Sequence, residues 1–203
     1  MNITTTTWLQ YEPSSDGRVL SVLTSASVIK CERKPHWSAL SLLVDVATSA
    51  ERTGNPVHAL IDTGALITCL DNQQVAKVLL THLSPELFDG VVYLDSEDRQ
   101  MILLRGGQGR PVALAQVGLP PERRFSFYDQ VHTTGMDIKQ GPSACAVLTV
   151  GKDMTFRDYA QGAFRMRQIG EGQTLVLYVI PEVENRMKEE LKNNGGMKKE
   201  ISS

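Results

Sequence analysis

Between Phe125 and Gln173 the chain sets an apolar run, a glycine turn, a second apolar run and an amphipathic segment in an order that few architectures accommodate. Phe125–Tyr128 and Ala144–Val150 read as core strands, and the second is apolar almost throughout. Strands of that kind belong to parallel sheets covered on both faces. Thr155 and Asp158 stand at capping-box spacing ahead of a helix expected to carry Gln161 through Gly170, with Tyr159, Ala163 and Met166 facing the sheet. Gly170–Gly172 would end that helix, and Leu175–Ile180 returns as a strand before Pro181. The alternation implies an α/β domain with a mostly parallel sheet. Ligands of such sheets bind beyond the carboxyl ends of the strands. The turns His132–Asp137 and Gly151–Asp153 are expected at that edge.

The rest of the chain extends the pattern. Ser38–Val46 suits a buried helix stopped by Gly54-Asn55-Pro56, and Val57–Ile61 follows as a strand. Asp71-Asn72 offers an N-cap to a helix with Val75, Ala76, Val78, Leu79, Leu80 and Leu83 on one face, which Ser84-Pro85 closes. Val91–Leu94 and Met101–Leu104 read as short strands, and Gly106-Gly107-Gln108-Gly109 as a hairpin loop. A last amphipathic helix, Glu182–Asn193, carries Val183, Met187 and Leu191 four residues apart. The first 36 residues show no sustained periodicity. The expected organisation is therefore an irregular extension over 1–36, an α/β domain over 37–193 and a disordered tail over 194–203.

Composition narrows the function. A formal net charge of −2 gives no global attraction to nucleic acid or anionic lipid. No apolar run is long enough to span a bilayer and the start lacks a signal-peptide pattern, so an intracellular, cytoplasmic protein is expected. Cys31, Cys69 and Cys145 are widely spaced in apolar contexts, which fits reduced structural thiols rather than a disulfide or a metal site. A complete G-x-x-x-x-G-K-[ST] phosphate loop is absent.

The chemistry concentrates in the opening stretch. A Gly135-Met136-Asp137 turn followed by Arg165-Met166-Arg167 resembles the second, RecA-like lobe of two-lobed motors, which supplies arginines to a nucleotide bound mainly by another lobe. A planar guanidinium on a rigid element stabilises charge spreading onto phosphoryl oxygens. On this reading Arg165 reaches the phosphate, Arg167 assists or braces it, and Gln161 orients water or the facing lobe. His132, Gly135, Asp137 and Lys152 line the strand-end turns, and the expected cofactor is ATP shared with a missing lobe. A Cys145–His132–Asp129 hydrolase site is a weaker reading, because its apolar run would bury Cys145 and raise its pKa. A rival motif, Asp62-Thr63-Gly64-Ala65, matches the active-site turn of retroviral-type aspartic proteases. Such a protease would need a homodimer to pair Asp62 with its copy, and Gly106-Gly107 as a flap. The plain alternative is a strand ending in a tight turn.

Ala59–Thr68, Phe127–Gln140 and Gly151–Arg167, continuing to Gly172-Gln173, also resemble a family: the carboxy-terminal part of very large eukaryotic proteins grouped with ubiquitin thioesterases, similar as well to helicase- or SecA-type P-loop hydrolases. The resemblance implies a parent with ubiquitinyl hydrolase (thiol protease, deubiquitinating) activity, an upstream lobe as partner, and ubiquitin or its conjugates as substrate. It also implies that the aspartate of Asp62-Thr63-Gly64 belongs to an α/β fold. Where relatives commonly carry Gly after the R-M-R, this chain has Gln168. A non-catalytic protein-binding module is the alternative, and it would expose an apolar patch.

Overall fold

The computed structural model of the 203-residue chain describes residues 15–131 and 137–200. The apolar runs form an eight-stranded sheet in the order β1-β8-β7-β2-β6-β3-β4-β5. The strands are β1 (Ile29–Arg33), β2 (Ala59–Ile61), β3 (Gly90–Leu94), β4 (Gln100–Leu104), β5 (Pro111–Ala113), β6 (Arg124–Tyr128), β7 (Cys145–Val150) and β8 (Thr174–Val179). From β1 to β3 all neighbours are parallel, and β4 and β5 extend the far side as antiparallel strands. The helices are α1 (Ser15–Leu23), α2 (Ala39–Ala47), α3 (Ser49–Thr53), α4 (Asn72–His82), α5 (Phe156–Ala163) and α6 (Pro181–Glu200). No helix among the described residues is long and apolar enough to cross a membrane.

Period-two alternation decides which face each strand residue covers. Leu60, Phe125, Phe127, Val147 and Tyr178 pack with Leu42, Leu43 and Val46 of α2 and Val75 and Leu79 of α4. On the opposite face Ala59, Ile61, Ala146, Leu148 and Leu175 pack with Leu23 of α1 and with Ala163 and Met166 at the end of α5. Both faces are apolar because both are covered. The expected caps form: Asp71 accepts from the Gln74 amide and Thr155 from the Asp158 amide, each within a reciprocal capping box.

Two expected boundaries are corrected. The described part of the segment over 1–36 is not an appendage, since it supplies α1 and β1, and β1 pairs with β8 along its whole length. Ile29-Lys30-Cys31-Glu32-Arg33 escapes an apolar-run criterion because an edge strand is half solvated. At the other end, α6 continues through the expected tail to Glu200. Ion pairs between residues four apart, Lys188 with Glu184 and Arg186 with Glu190, favour its extension.

A lysine buried behind β1 locks that strand to the body. Lys34 bonds Glu32 at 2.7 Å and also Asp45 of α2, and its ammonium lies 3.9 Å from the centre of the Tyr178 ring. Tyr178 donates its hydroxyl to Asp45 (2.7 Å), and Arg52 of α3 pairs with both Asp45 (3.2 Å) and Glu32 (3.1 Å). Burial works to raise the Asp45 pKa, but the bonds from Lys34 and Tyr178 and the charges of Lys34 and Arg52 outweigh it and hold the carboxyl below its usual range.

Adjacent parallel strands β2 and β7 send the chain in opposite directions. After β2 it crosses β6 through α4 to reach β3, on one face; after β7 it turns through α5 to β8, on the other. Crossovers of one hand that run in opposite directions must lie on opposite faces. The parting leaves a crevice beyond the carboxyl ends of β2 and β7.

Candidate functional site

Two turns frame that crevice, Asp62–Ala65 after β2 and Gly151–Met154 after β7. The first is tight: the Ala65 amide donates to the Asp62 carbonyl at 3.1 Å, and Ala65 adopts a left-handed φ of 52°. The Asp62 side chain, 1% exposed, holds the turn from inside. Its Oδ1 accepts from the Leu66 amide (3.0 Å) and the Thr149 hydroxyl (2.6 Å), and its Oδ2 from the Ile67 amide (2.8 Å). The Thr149 oxygen in turn accepts from the Gly64 amide at 3.0 Å, so one hydroxyl on β7 ties down both ends of the turn. Burial raises the Asp62 pKa, and the charge of Asp129 adds to it, while the three donors work in the opposite direction.

The two turns touch through glycines. A Cβ on Gly64 would stand 2.7 Å from the Gly151 nitrogen, and one on Gly151 would stand 2.9 Å from the Gly64 Cα, so neither position has room for a side chain. A third close approach binds α5 to the first turn, because a Cβ on Gly162 would collide with the Thr63 hydroxyl. That hydroxyl is buried and has no hydrogen-bond partner among the described residues. Around these backbones opens a cleft of about 700 Å³, lined among others by Thr63, Gly64, Gln130, Lys152, Asp158 and Gln161.

The arginines lie elsewhere. Helix α5 ends at Ala163, a 3₁₀ turn covers Phe164–Met166, and Arg167 follows with a left-handed φ of 66°. The helix expected through Gly170 therefore stops early. Ala163 and Met166 go into the core, and the buried Gln173 holds the departing chain by accepting from the Gln168 amide (2.8 Å) and donating to the Gly141 carbonyl (2.8 Å). Arg165, expected to reach a phosphate, is 8% exposed and gives Asp137 a bond of 3.1 Å through Nη1. Asp137 also takes Arg167 on its other oxygen. Asp137 thus pairs with two guanidiniums, of which Arg167, with a side chain 60% exposed, is the one at the surface. Just after Asp137, the Ile138 amide donates to the Tyr128 hydroxyl at 2.9 Å, and burial pushes the Tyr128 pKa up to about 12.

Sequence-predicted residues accordingly divide between two clefts. Lys152 and Gln161 line the crevice between β2 and β7. Asp137 and Arg167, with Lys139, Gln140 and Glu122, line a second cleft of about 520 Å³. Arg165 lines neither. His132 and Gly135 lie outside the described residues. Motif reasoning gives no role to the hydroxyls of Thr149 and Thr63 or to Gln173; a polar residue inside a run such as Cys-Ala-Val-Leu-Thr-Val is itself a signal, since burying it requires a partner.

The other two chemistries find no support in the geometry. Cys145 opens β7 at the amino edge of the sheet, and the His132 of that reading lies outside the described residues. The Cys145 amide instead donates to His58 Nδ1 (3.4 Å), and burial pushes the thiol pKa up. Asp62 has both oxygens engaged at the carboxyl end of a parallel strand, and Gly106-Gly107 belongs to the β4–β5 connection at the far edge. No group of three or more His, Cys, Asp or Glu side chains among the described residues is arranged to hold a metal ion. Compared with protein-family models, curated proteins and solved structures, the chain matches none.

Proposed function

We propose that this chain is a RecA-like lobe of a two-lobed, nucleotide-dependent machine, and that it offers the carboxyl edge of its sheet to ATP held mainly by another lobe. The observation that carries this reading is the crevice at the parting of β2 and β7, where two glycine turns pack backbone against backbone and Lys152 and Gln161 line the opening. A crevice at such a parting of a parallel sheet is where ligands of α/β folds bind.

Charge limits what the crevice holds by itself. Its lining carries Lys152 against Asp153, Asp158 and Glu182, so a bare phosphate is not favoured. Asp158 is engaged by its cap and Glu182 by the Trp37 indole at 3.4 Å. The residues fit a nucleotide whose charge is already neutralised by the facing lobe. In that arrangement Lys152 would contact phosphate oxygens and Gln161 would orient the facing group, while Arg167 lines the other cleft.

For the parent, the resemblance supports ubiquitin-conjugate hydrolysis, with the thiol site outside this chain. The test is nucleotide turnover and cleavage of a fluorogenic ubiquitin substrate by the parent, with and without ATP. Lys152→Ala should slow turnover by about tenfold or more, the scale of one charge-assisted bond to a phosphate. Unchanged turnover in the folded variant would remove the nucleotide reading. A binding module would instead leave ubiquitin capture indifferent to Lys152→Ala.

A further inference from the structure

Strand β1 ends the sheet, and among the described residues β8 is its only neighbour. The flanking bonds fix which of its groups are already used: the Leu175 amide donates to the Val28 carbonyl (3.0 Å) and the Lys34 amide to the Val179 carbonyl (2.9 Å). In a parallel ladder alternate residues turn both backbone groups to the same neighbour. With Ile29 opposite Leu175 and Arg33 opposite Val179, Lys30 and Glu32 serve β8, and Ile29, Cys31 and Arg33 face outward. The Ile29 amide is taken by the Ser25 carbonyl (2.8 Å), which leaves outward the Ile29 carbonyl and both groups of Cys31 and Arg33.

The sequence of this edge is complementary to itself. Laid antiparallel against a copy about a twofold axis at Cys31, Lys30 falls opposite Glu32 and Glu32 opposite Lys30. Cys31 falls opposite Cys31, and Arg33 opposite Ile29. The Cys31 pair would exchange two N–H···O bonds, and each Arg33 amide would find an Ile29 carbonyl, the outward group that residue has left. A twofold perpendicular to the sheet keeps like faces on the same side. The groove beside β1, about 540 Å³ between α5 and α6, would then meet its copy across the seam. That groove displays Phe156 (46% exposed), Met187 (46%) and Leu191 (73%).

We infer that β1 is a self-association edge, on which a second copy of this chain pairs antiparallel about Cys31 and makes the sheet continuous across two molecules. The edge supplies the bonds, the Lys30–Glu32 pattern selects the register, and the apolar groove supplies surface to bury. The inference is independent of the nucleotide reading, since the crevice lies at the carboxyl edge and β1 at the lateral one.

Sedimentation velocity of the full chain over a concentration series tests it. The wild type should dimerise. Lys30→Glu, an exposed position, sets like charges opposite each other twice and should weaken the dimer by about tenfold. Glu32→Lys should do the same, and mixing the two variants should restore a heterodimer, because both cross-strand pairs become opposite in sign again. Cys31→Pro removes an outward amide without touching a bond to β8, which an edge strand tolerates, and should also give monomer. Circular dichroism establishes that each variant is folded; Glu32 also serves Lys34 and Arg52, so if its variant does not fold, Lys30→Glu and Cys31→Pro decide. A wild type that stays monomeric throughout overturns the inference, as does a dimer that persists in folded Lys30→Glu.

Discussion

Replacing Gly162 by alanine should destabilise the protein, although the same change in an exposed helix interior gains about 0.8–1 kcal/mol. The reversal comes from the close approach of α5 to the first strand-end turn. The new methyl would collide with the Thr63 hydroxyl and lie 3.1 Å from Leu148 Cδ1. Neither neighbour moves freely, because Leu148 is fully buried and Thr63 is anchored between Asp62 and the Gly64 amide that Thr149 holds. Overpacking of this kind costs about 1–3 kcal/mol, so the change should bring no gain and a net loss of up to about 2 kcal/mol. Thr63→Ala should remove the obstruction. Its hydroxyl makes no hydrogen bond among the described residues, so the single change should stay within about 1 kcal/mol of wild type, one lost methyl being offset by a buried polar group removed. In that background Gly162→Ala should become stabilising, with a coupling energy of about 1–3 kcal/mol. Urea unfolding of the four proteins, followed by far-ultraviolet circular dichroism, measures the cycle. A Gly162→Ala that stabilises the Thr63 protein, or that has the same effect with and without Thr63, would refute the packing argument.

Two further outcomes follow from the charge clusters. Arg165→Ala should cost about 2 kcal/mol or more, since it strips a buried partner from Asp137, whereas Arg167→Ala, at an exposed pair, should cost under about 1 kcal/mol; chemical unfolding of both distinguishes the brace from the presented arginine. Asp45 has a folded pKa below its ordinary value, so its contribution to stability is present above the unfolded pKa and lost as pH falls through the folded one, below roughly pH 4. Asp45→Asn should therefore lower Tm near neutrality and flatten the acid limb of a Tm profile; an acid limb of unchanged slope would remove Asp45 from that role.

The sequence exposes this fold where burial is complete and hides it where burial is partial. Leu60-Ile61, Val91-Val92, Phe125–Tyr128 and Ala146–Leu148 are covered on both faces, and their apolar character alone marks them as interior strands. Strand β1 and the three-residue β5 lie at the margins and mix charge or proline with apolar residues. Helix starts are legible because a cap is local chemistry, one side chain to an amide three residues on. The end of α5 is not, since it depends on Gln173 and on Met166 entering the core, which are tertiary facts. By contrast, the turn carrying Lys152 can be assigned to the carboxyl edge from its place directly after a strand. The pairing of Asp137 with Arg165 and Arg167 brings together side chains 28 and 30 residues apart, and no spacing rule reports that.

The lysine behind β1 bears on how the chain can be divided. A fragment begun at residue 37, where composition changes, would lack Lys34 and the strand that carries it. Asp45 would keep the Tyr178 hydroxyl and Arg52 but lose its ammonium partner, and Tyr178 would lose the cation over its ring. Strand β8, interior in the intact sheet, would become a raw margin. Any piece meant to stand for this domain in a cloning, fusion or domain-swap experiment must therefore carry the amino-terminal strand, because a cut at residue 37 passes through the sheet.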